Sequence, residues 1–283
     1  MEFYTLIINC KEEATRIERQ IAETITLFNF HPTLAVITTD QADDASKVYM
    51  RNKKRAAERV GINYREFIIS APSHLIESTI ISKIQELNAD EDIHGIIVQL
   101  PLPKEVNVKR VQFEIDPTKD VDGFHPDSAF IPCTPHAVFN LMHDLKMPIE
   151  GSNCVVIGRS DIVGRPLAKI LLNSNATVSV CHSHTSSYQL AHLCKNADYI
   201  FCAAGVPDLI KPNYLTPGLT TAFDISINRD KNNKLCGDIA PECYPILKAY
   251  TPVPGGIGPL TVVTLMHHTM IAKATMPKGE IIA

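Results

Sequence analysis

The sequence predicts an α/β protein made of two doubly wound domains. Three observations carry this. Short apolar runs alternate with amphipathic stretches of helical period between residues 12 and 100. The alternation lapses over residues 116–135 into DPTKDVDGFHPDSAFIPCTP, rich in Asp, Pro and Gly. It restarts at Asn153 with an apolar strand that breaks into a glycine turn. A β-α-β alternation forms a parallel sheet covered by helices, and a long irregular stretch marks a domain boundary or a functional loop.

The elements follow in order. Glu12 to Leu27 reads as a helix, with Ile17, Ile21 and Ile25 on one apolar stripe. Residues 32–39 form a strand, and Ala45 to Val60 a helix closed by Gly61 at C′. Asn63 to Ser70 is a second strand, followed by a helix from Ser73 to Leu87 with Ser73 as its N-cap. Ile93 to Leu100 is nearly all apolar, as a central parallel strand should be, and Pro101 and Pro103 stop it. Thr134 to Leu145 is a connecting helix. Strands then fall at Cys154 to Ile157, Thr177 to Cys181, Tyr199 to Ala203 and Thr220 to Asp224, with helices at Gly164 to Leu172 and Leu190 to Cys194. A last helix, from about Pro259 to Ala274, is expected to return to the first domain. The expected division is therefore 1–133 plus 257–283 for one domain and 134–256 for the other, with the active-site cleft between them.

Composition narrows the function classes. The chain has 283 residues, 45% hydrophobic and 20% charged, which excludes bulk disorder and fibrous architectures. A net charge of −4 with no long basic run argues against a nucleic-acid partner. No apolar run reaches the roughly 18 residues that span a bilayer, so no membrane partner is expected. The start, MEFYTLIINCKEE, holds too short an apolar run for a signal peptide, and none of the eight cysteines forms a CxxC pair. Free, mostly buried thiols and a cytoplasmic location are the expectation. His182-x-His184 and His267-His268 invite a metal, but no carboxylate or cysteine cluster completes a site, so none is expected.

Two constellations bear chemistry. In the second half, strand 154–157 breaks at Gly158, and Gly164 opens the next helix. A helix N-terminus behind a tight turn suits a pyrophosphate. The spacing is GxSxxxG rather than GxGxxG, so the motif alone fits either a structural turn or a dinucleotide site. Ser183, nineteen residues past Gly164, stands where NAD-binding domains place an acid for the ribose 2′-hydroxyl. With Ser183 to donate and Arg159 to neutralise charge, the turn favours NADP. In the first half, Tyr49 and Lys53 lie one helical turn apart on a single face. Gln99 ends an apolar parallel strand, where doubly wound sheets bind ligands. A buried amide left unpaired costs on the order of 1–3 kcal/mol, so Gln99 should be bonded. It suits the Lys53 amine, since it adds no charge that would hold that amine protonated, and a proton shuttle needs a poorly hydrated lysine. Tyr49 would orient the amine or assist proton delivery. A Tyr-x-x-x-Lys pair also occurs in short-chain dehydrogenases, but there it follows the nucleotide turn, and here it precedes Gly158 by 109 residues.

Five segments, SKVYMRNK (46–53), GIIVQLPLP (95–103), KDVDGFHP (119–126), GRSDIVGRP (158–166) and TPVPGGIGPLT (251–261), together resemble the bifunctional methylenetetrahydrofolate dehydrogenase/methenyltetrahydrofolate cyclohydrolases. The match follows the family's order across essentially the whole chain. The resemblance implies oxidation of 5,10-methylenetetrahydrofolate by NADP⁺ and hydrolysis of the methenyl product to 10-formyltetrahydrofolate. It implies Lys53 as the acid/base residue of hydrolysis, Tyr49 as its partner beside the folate, Gln99 as the group tuning the lysine, and Asp122 as the pterin anchor. From the residues alone, Asp122 reads as a turn-forming Asp before Gly123. Gly158, Arg159, Ser160, Ser183 and Ile227 carry over as cofactor contacts, with Ile227 near the nicotinamide. The Pro254-Gly255-Gly256 turn fits a backbone packed against a planar ligand. A homodimer formed through the nucleotide domain is implied as well.

Three positions depart from the family's pattern: Ser226 and Ala137 stand where glycine is usual, and GDIA (237–240) replaces a GDVD-like run. Ser226 is expected to crowd the cofactor. That leaves as alternatives a variant with one activity, cyclohydrolase being the better supported, and a non-enzymatic folate- or nucleotide-binding regulator.

Overall fold

A computed structural model describes residues 4–275. In chain order the elements are β1 (Leu6–Ile7), α1 (Cys10–Leu27), β2 (Thr33–Thr39), α2 (Asp44–Val60), β3 (Asn63–Ile69), α3 (Ile76–Ala89), β4 (Gly95–Val98), α4 (Val108–Phe113) and α5 (Cys133–Asp144). Then come β5 (Asn153–Ile157), α6 (Gly164–Asn173), β6 (Thr177–Cys181), α7 (Ser187–Lys195), β7 (Tyr199–Cys202), β8 (Thr221–Asp224), β9 (Asn228–Arg229), β10 (Leu235–Cys236), β11 (Ala249–Tyr250) and α8 (Ile257–Thr275). The chain forms two compact units. One combines residues 4–14 with Thr134–Thr261, and the other combines Thr15–Cys133 with residues 262–275.

The Thr15–Cys133 unit has a parallel sheet ordered β3-β2-β4. All seven residues of β2 are buried, as a central strand covered on both faces requires. Its side chains alternate between two cores. Leu34 and Val36 pack with Ile21, Ile25, Val60, Leu265 and Met266. Ala35 and Ile37 pack with Ile76, Ile80, Ile84 and Leu87. Because β3 lies on one side of β2 and β4 on the other, the winding reverses at the β2/β4 boundary, where such sheets hold ligands beyond their carboxyl ends.

The other unit has a six-stranded sheet ordered β1-β11-β8-β7-β5-β6, parallel at every pairing, and a separate β9-β10 hairpin. Here the winding reverses between β5 and β7. Its core joins Val155, Ile157, Ile200 and Ala222 to Leu190, Cys194, Ile210 and Leu247.

Several expectations are corrected. Ser73 does not cap α3: the Pro72 carbonyl accepts the Leu75 N–H at 2.8 Å, a turn forms first, and the helix starts at Ile76 with no side-chain cap. The six-residue α4 was not anticipated, because it is too short to show a helical period; the Asn107 side chain caps it, accepting from Arg110 N–H at 3.2 Å. Residues 4–14, expected with the first domain, join the other unit because β1 pairs with β11, Leu6 opposite Ala249 and Ile7 opposite Tyr250. That unit also keeps residues 257–261, so the boundary in α8 falls at Val262 rather than at 257. A two-residue strand carries no alternation, so only its partner reveals it. All eight cysteines are free thiols, seven of them buried. No helix among the described residues is long and apolar enough to cross a membrane.

Candidate active site

Helix α2 begins where the Asp43 side chain accepts the Ser46 N–H at 2.7 Å, and it ends at Gly61, whose φ of 82° is left-handed. The Ser46 hydroxyl donates to the Leu100 carbonyl at 3.3 Å, tying the helix to the segment after β4. On the same helix the half-buried Lys53 donates from Nζ to Gln99 Oε1 at 3.1 Å. Gln99 is itself fixed. Its backbone N–H bonds the Ile37 carbonyl at 2.8 Å, and its Nε2 donates to the Leu100 carbonyl at 2.7 Å, so the amide oxygen faces the lysine. The pair therefore sits at the β2/β4 reversal. Tyr49, one turn before Lys53, is exposed, and desolvation still pushes its phenol above the usual range.

Asp122 lies in a loop held by three anchors. Lys119 is buried and donates from Nζ to the carbonyls of Leu87, Asn88 and Asp90 at 3.1, 2.8 and 2.7 Å, which closes the end of α3. The Asp120 carboxylate accepts the His125 N–H at 2.7 Å. Behind Asp122, the buried Cys133 and His268 converge on the Val121 carbonyl, the thiol at 3.3 Å and Nδ1 at 2.9 Å, with Phe130 stacked on the imidazole at 4.7 Å. Burial raises the Asp122 carboxyl above its ordinary value, while the nearby Lys53 charge and a bond from the Cys133 thiol pull it back. A half-buried amine, a neutral amide acceptor and a desolvated carboxylate thus share one unit. They can move a proton at Nζ and accept two parallel N–H bonds at the carboxylate. The sequence reading missed Lys119, Cys133 and His268 as supports. The only signal for Cys133 was its place at the end of the irregular loop.

The nucleotide features lie in the other unit, at the β5/β7 reversal. Gly158 has φ +124°, and a Cβ there would overlap the Ala203 carbonyl oxygen at the end of β7. A Cβ on Gly164 would overlap the Gly158 carbonyl, so α6 begins tight against the turn. Both glycines are thus required for backbone packing within the turn, which sets the N-terminus of α6 just beyond the end of β5, where dinucleotide folds receive a pyrophosphate. Arg159, Ser160 and Ser183 are exposed beside it, and no carboxylate follows β6. The Ser160 hydroxyl accepts from the N–H groups of Val163 (3.2 Å) and Gly164 (3.4 Å), which ties the turn to the first residue of α6. His184 N–H donates to His182 Nδ1 at 3.2 Å, which orders the turn around Ser183. Ile227 is exposed after β8. Ser226 beside it donates to Asp238 Oδ2 at 2.9 Å. Pro254, Gly255 and Gly256 also fall in this unit, in the turn leading into α8, with Gly255 at φ +96°. Among the described residues, no group of three or more His, Cys, Asp or Glu is placed to hold a metal ion.

A wound parallel sheet with a glycine turn at its reversal, and a second α/β unit bearing a lysine, an amide and a carboxylate, define a two-unit dinucleotide-binding α/β protein. Comparison with known proteins narrows this class. The model for the tetrahydrofolate dehydrogenase/cyclohydrolase catalytic domain matches residues 8–122, and that for the family's NAD(P)-binding domain matches residues 132–276. A protein named Bifunctional protein FolD from Acetivibrio thermocellus is 40% identical, over 96% of this chain and 98% of its own length. The crystal structure of a bifunctional FolD methylenetetrahydrofolate dehydrogenase/cyclohydrolase from Campylobacter jejuni is 34% identical with a TM-score of 0.90, covering 96% of this chain and 99% of that one. The Trypanosoma brucei enzyme, solved with NADP cofactor and inhibitor, is 29% identical with a TM-score of 0.88, covering 95% and 97% of the two chains. The chain belongs to the tetrahydrofolate dehydrogenase/cyclohydrolase family.

Proposed function

We propose that this protein oxidises 5,10-methylenetetrahydrofolate to the 5,10-methenyl cation with NADP⁺ and then hydrolyses that cation to 10-formyltetrahydrofolate. The observation that carries the reading is the Lys53 amine bonded to the neutral Gln99 amide beside the desolvated Asp122. Asp122 accepts from the exocyclic amine and a ring N–H of the pterin, and Tyr49 lines the folate next to Lys53. In hydrolysis, water adds to the methenyl carbon and Nζ of Lys53 takes its proton. The second hydroxyl proton leaves as the carbon–N5 bond breaks, Lys53 returns a proton to N5, and one proton is released overall. NADP⁺, when bound, accepts the hydride from the methylene carbon. The chain's part in that step is orientation: the Gly158–Gly164 turn and Ser160 receive the diphosphate, Arg159 and Ser183 the 2′-phosphate, Ile227 the nicotinamide end, and the Pro254–Gly256 turn a planar ring.

The same reading takes the working form as a homodimer in the cytoplasm, feeding one-carbon units to purine biosynthesis. The edge strand β6 supports the dimer: Val180 on it is exposed, as are Leu172 on α6 and Tyr188 on α7, and an open parallel edge calls for a cover.

The direct test is Lys53→Met. Hydrolysis of the methenyl substrate should fall at least about a hundredfold while NADP⁺ affinity stays within about threefold. Hydrolysis at the wild-type rate would remove Lys53 from the mechanism.

A further inference from the structure

The most heavily bonded carboxylate in the nucleotide-binding unit is one the mechanism above does not use. Asp238 is fully buried and accepts five hydrogen bonds. Three come from consecutive backbone N–H groups just beyond β7: Ala204 and Gly205 to Oδ2 at 2.7 and 3.2 Å, and Val206 to Oδ1 at 2.8 Å. The other two come from side chains just beyond β8, the Ser226 hydroxyl to Oδ2 at 2.9 Å and Asn228 Nδ2 to Oδ1 at 2.8 Å. Asp238 is itself held from behind, its N–H donating to Asp224 Oδ1 at 3.0 Å and that of Ile239 to Asp224 Oδ2 at 3.1 Å.

The location gives this network its meaning. The loop after β7 stands at the β5/β7 reversal and touches the glycine turn, since it is the Ala203 carbonyl that leaves no room for a Cβ on Gly158. The loop after β8 carries Ile227, exposed between the two side chains that Asp238 holds. One carboxylate therefore fastens together the two loops that border the ligand end of the sheet. Burying a carboxylate costs several kcal/mol unless donors surround it, and here five do.

Ser226 completes the clamp. Its hydroxyl donates to Asp238 and accepts the Gly205 N–H at 3.0 Å, so both of its bonding directions are used inside the protein. A glycine at this position makes neither bond. The serine joins the two loops directly, where the sequence led us to expect crowding.

We propose that Asp238 and Ser226 are positioning residues for hydride transfer, clamping the loops after β7 and β8 so that Ile227 meets the nicotinamide end of the cofactor in a fixed place. The inference rests on the dehydrogenase reading. It predicts a loss confined to the cofactor half of the chemistry, because hydrolysis uses Lys53 and Gln99 in the other unit.

The test uses the full chain with Ser226→Ala, Ser226→Gly, Ser226→Thr and Asp238→Asn, all checked for folding by thermal melts. NADP⁺ binding is read by calorimetry, and both activities are read on each preparation. Ser226→Ala and Ser226→Gly should each weaken NADP⁺ binding or slow oxidation about three- to tenfold, with hydrolysis unchanged. Asp238→Asn should lose more than about tenfold, and Ser226→Thr, which keeps the hydroxyl, should recover most of the activity. Wild-type NADP⁺ affinity and oxidation rate in a folded Ser226→Ala would overturn the proposal, as would an equal loss of hydrolysis. Absence of methylenetetrahydrofolate oxidation by the wild type would instead sink the dehydrogenase reading, with NADP⁺ calorimetry still judging the clamp.

Discussion

At the scale of single residues, charge and desolvation separate groups that look alike in the sequence. Arg159 is one of many exposed cations, but it projects from the turn at the β5/β7 reversal, and the end of β6 offers no acid. Arg159→Ala should therefore narrow the NADP/NAD preference by about tenfold or more, measured as the ratio of kcat/KM with the two cofactors. An unaltered ratio would mean the 2′-phosphate is held elsewhere. Asp224 makes a different case. Burial pushes its carboxyl up to about 7, far above the ordinary Asp value. The folded chain then holds this proton more tightly than the unfolded chain does. Its contribution to stability is full below about pH 4 and is lost as pH rises through about 7. Asp224→Asn removes that titration, so the fall in Tm between about pH 5 and about pH 8 should be smaller in the variant than in the wild type. An identical fall in both would show that Asp224 stays ionised across that range.

At the scale of elements, most of the helices and strands were legible because periodicity and turn chemistry are local. The buried run of β2, the α2 cap at Gly61 and the break at Gly158 are each written in a few adjacent residues. The false N-cap at Ser73 shows the limit, since a turn closed by the Pro72 carbonyl outcompetes a favourable capping residue. Gly158 is the element whose loss should cost most. It combines a left-handed backbone with contact against the Ala203 carbonyl, so Gly158→Ala should cost a few kcal/mol of stability in thermal or urea unfolding and lower NADP⁺ affinity at least about tenfold. A variant of normal Tm and normal affinity would show that the turn has room it does not display.

At the scale of the whole molecule, the proposed homodimer predicts a solution mass of about twice 31.3 kDa by light scattering, and Val180→Asp on the edge of β6 should shift it toward monomer. A monomeric wild type at micromolar concentration would reject the dimer.

Local pattern alone carried the fold class, most of the elements, the chemical types at Lys53, Gln99 and Gly158, and, through the five matching segments, the family. Those features depend on neighbours in the chain, where spacing is a faithful guide to geometry. Packing alone decided that β1 completes the six-stranded sheet beside β11, that Lys119 and Cys133 support Asp122, and that Asp238 with Ser226 ties two loops together. Each of these joins residues whose contact arises only after the sheets have wound. The free energy that selects it comes from desolvating and pairing polar groups that look ordinary in the unfolded chain.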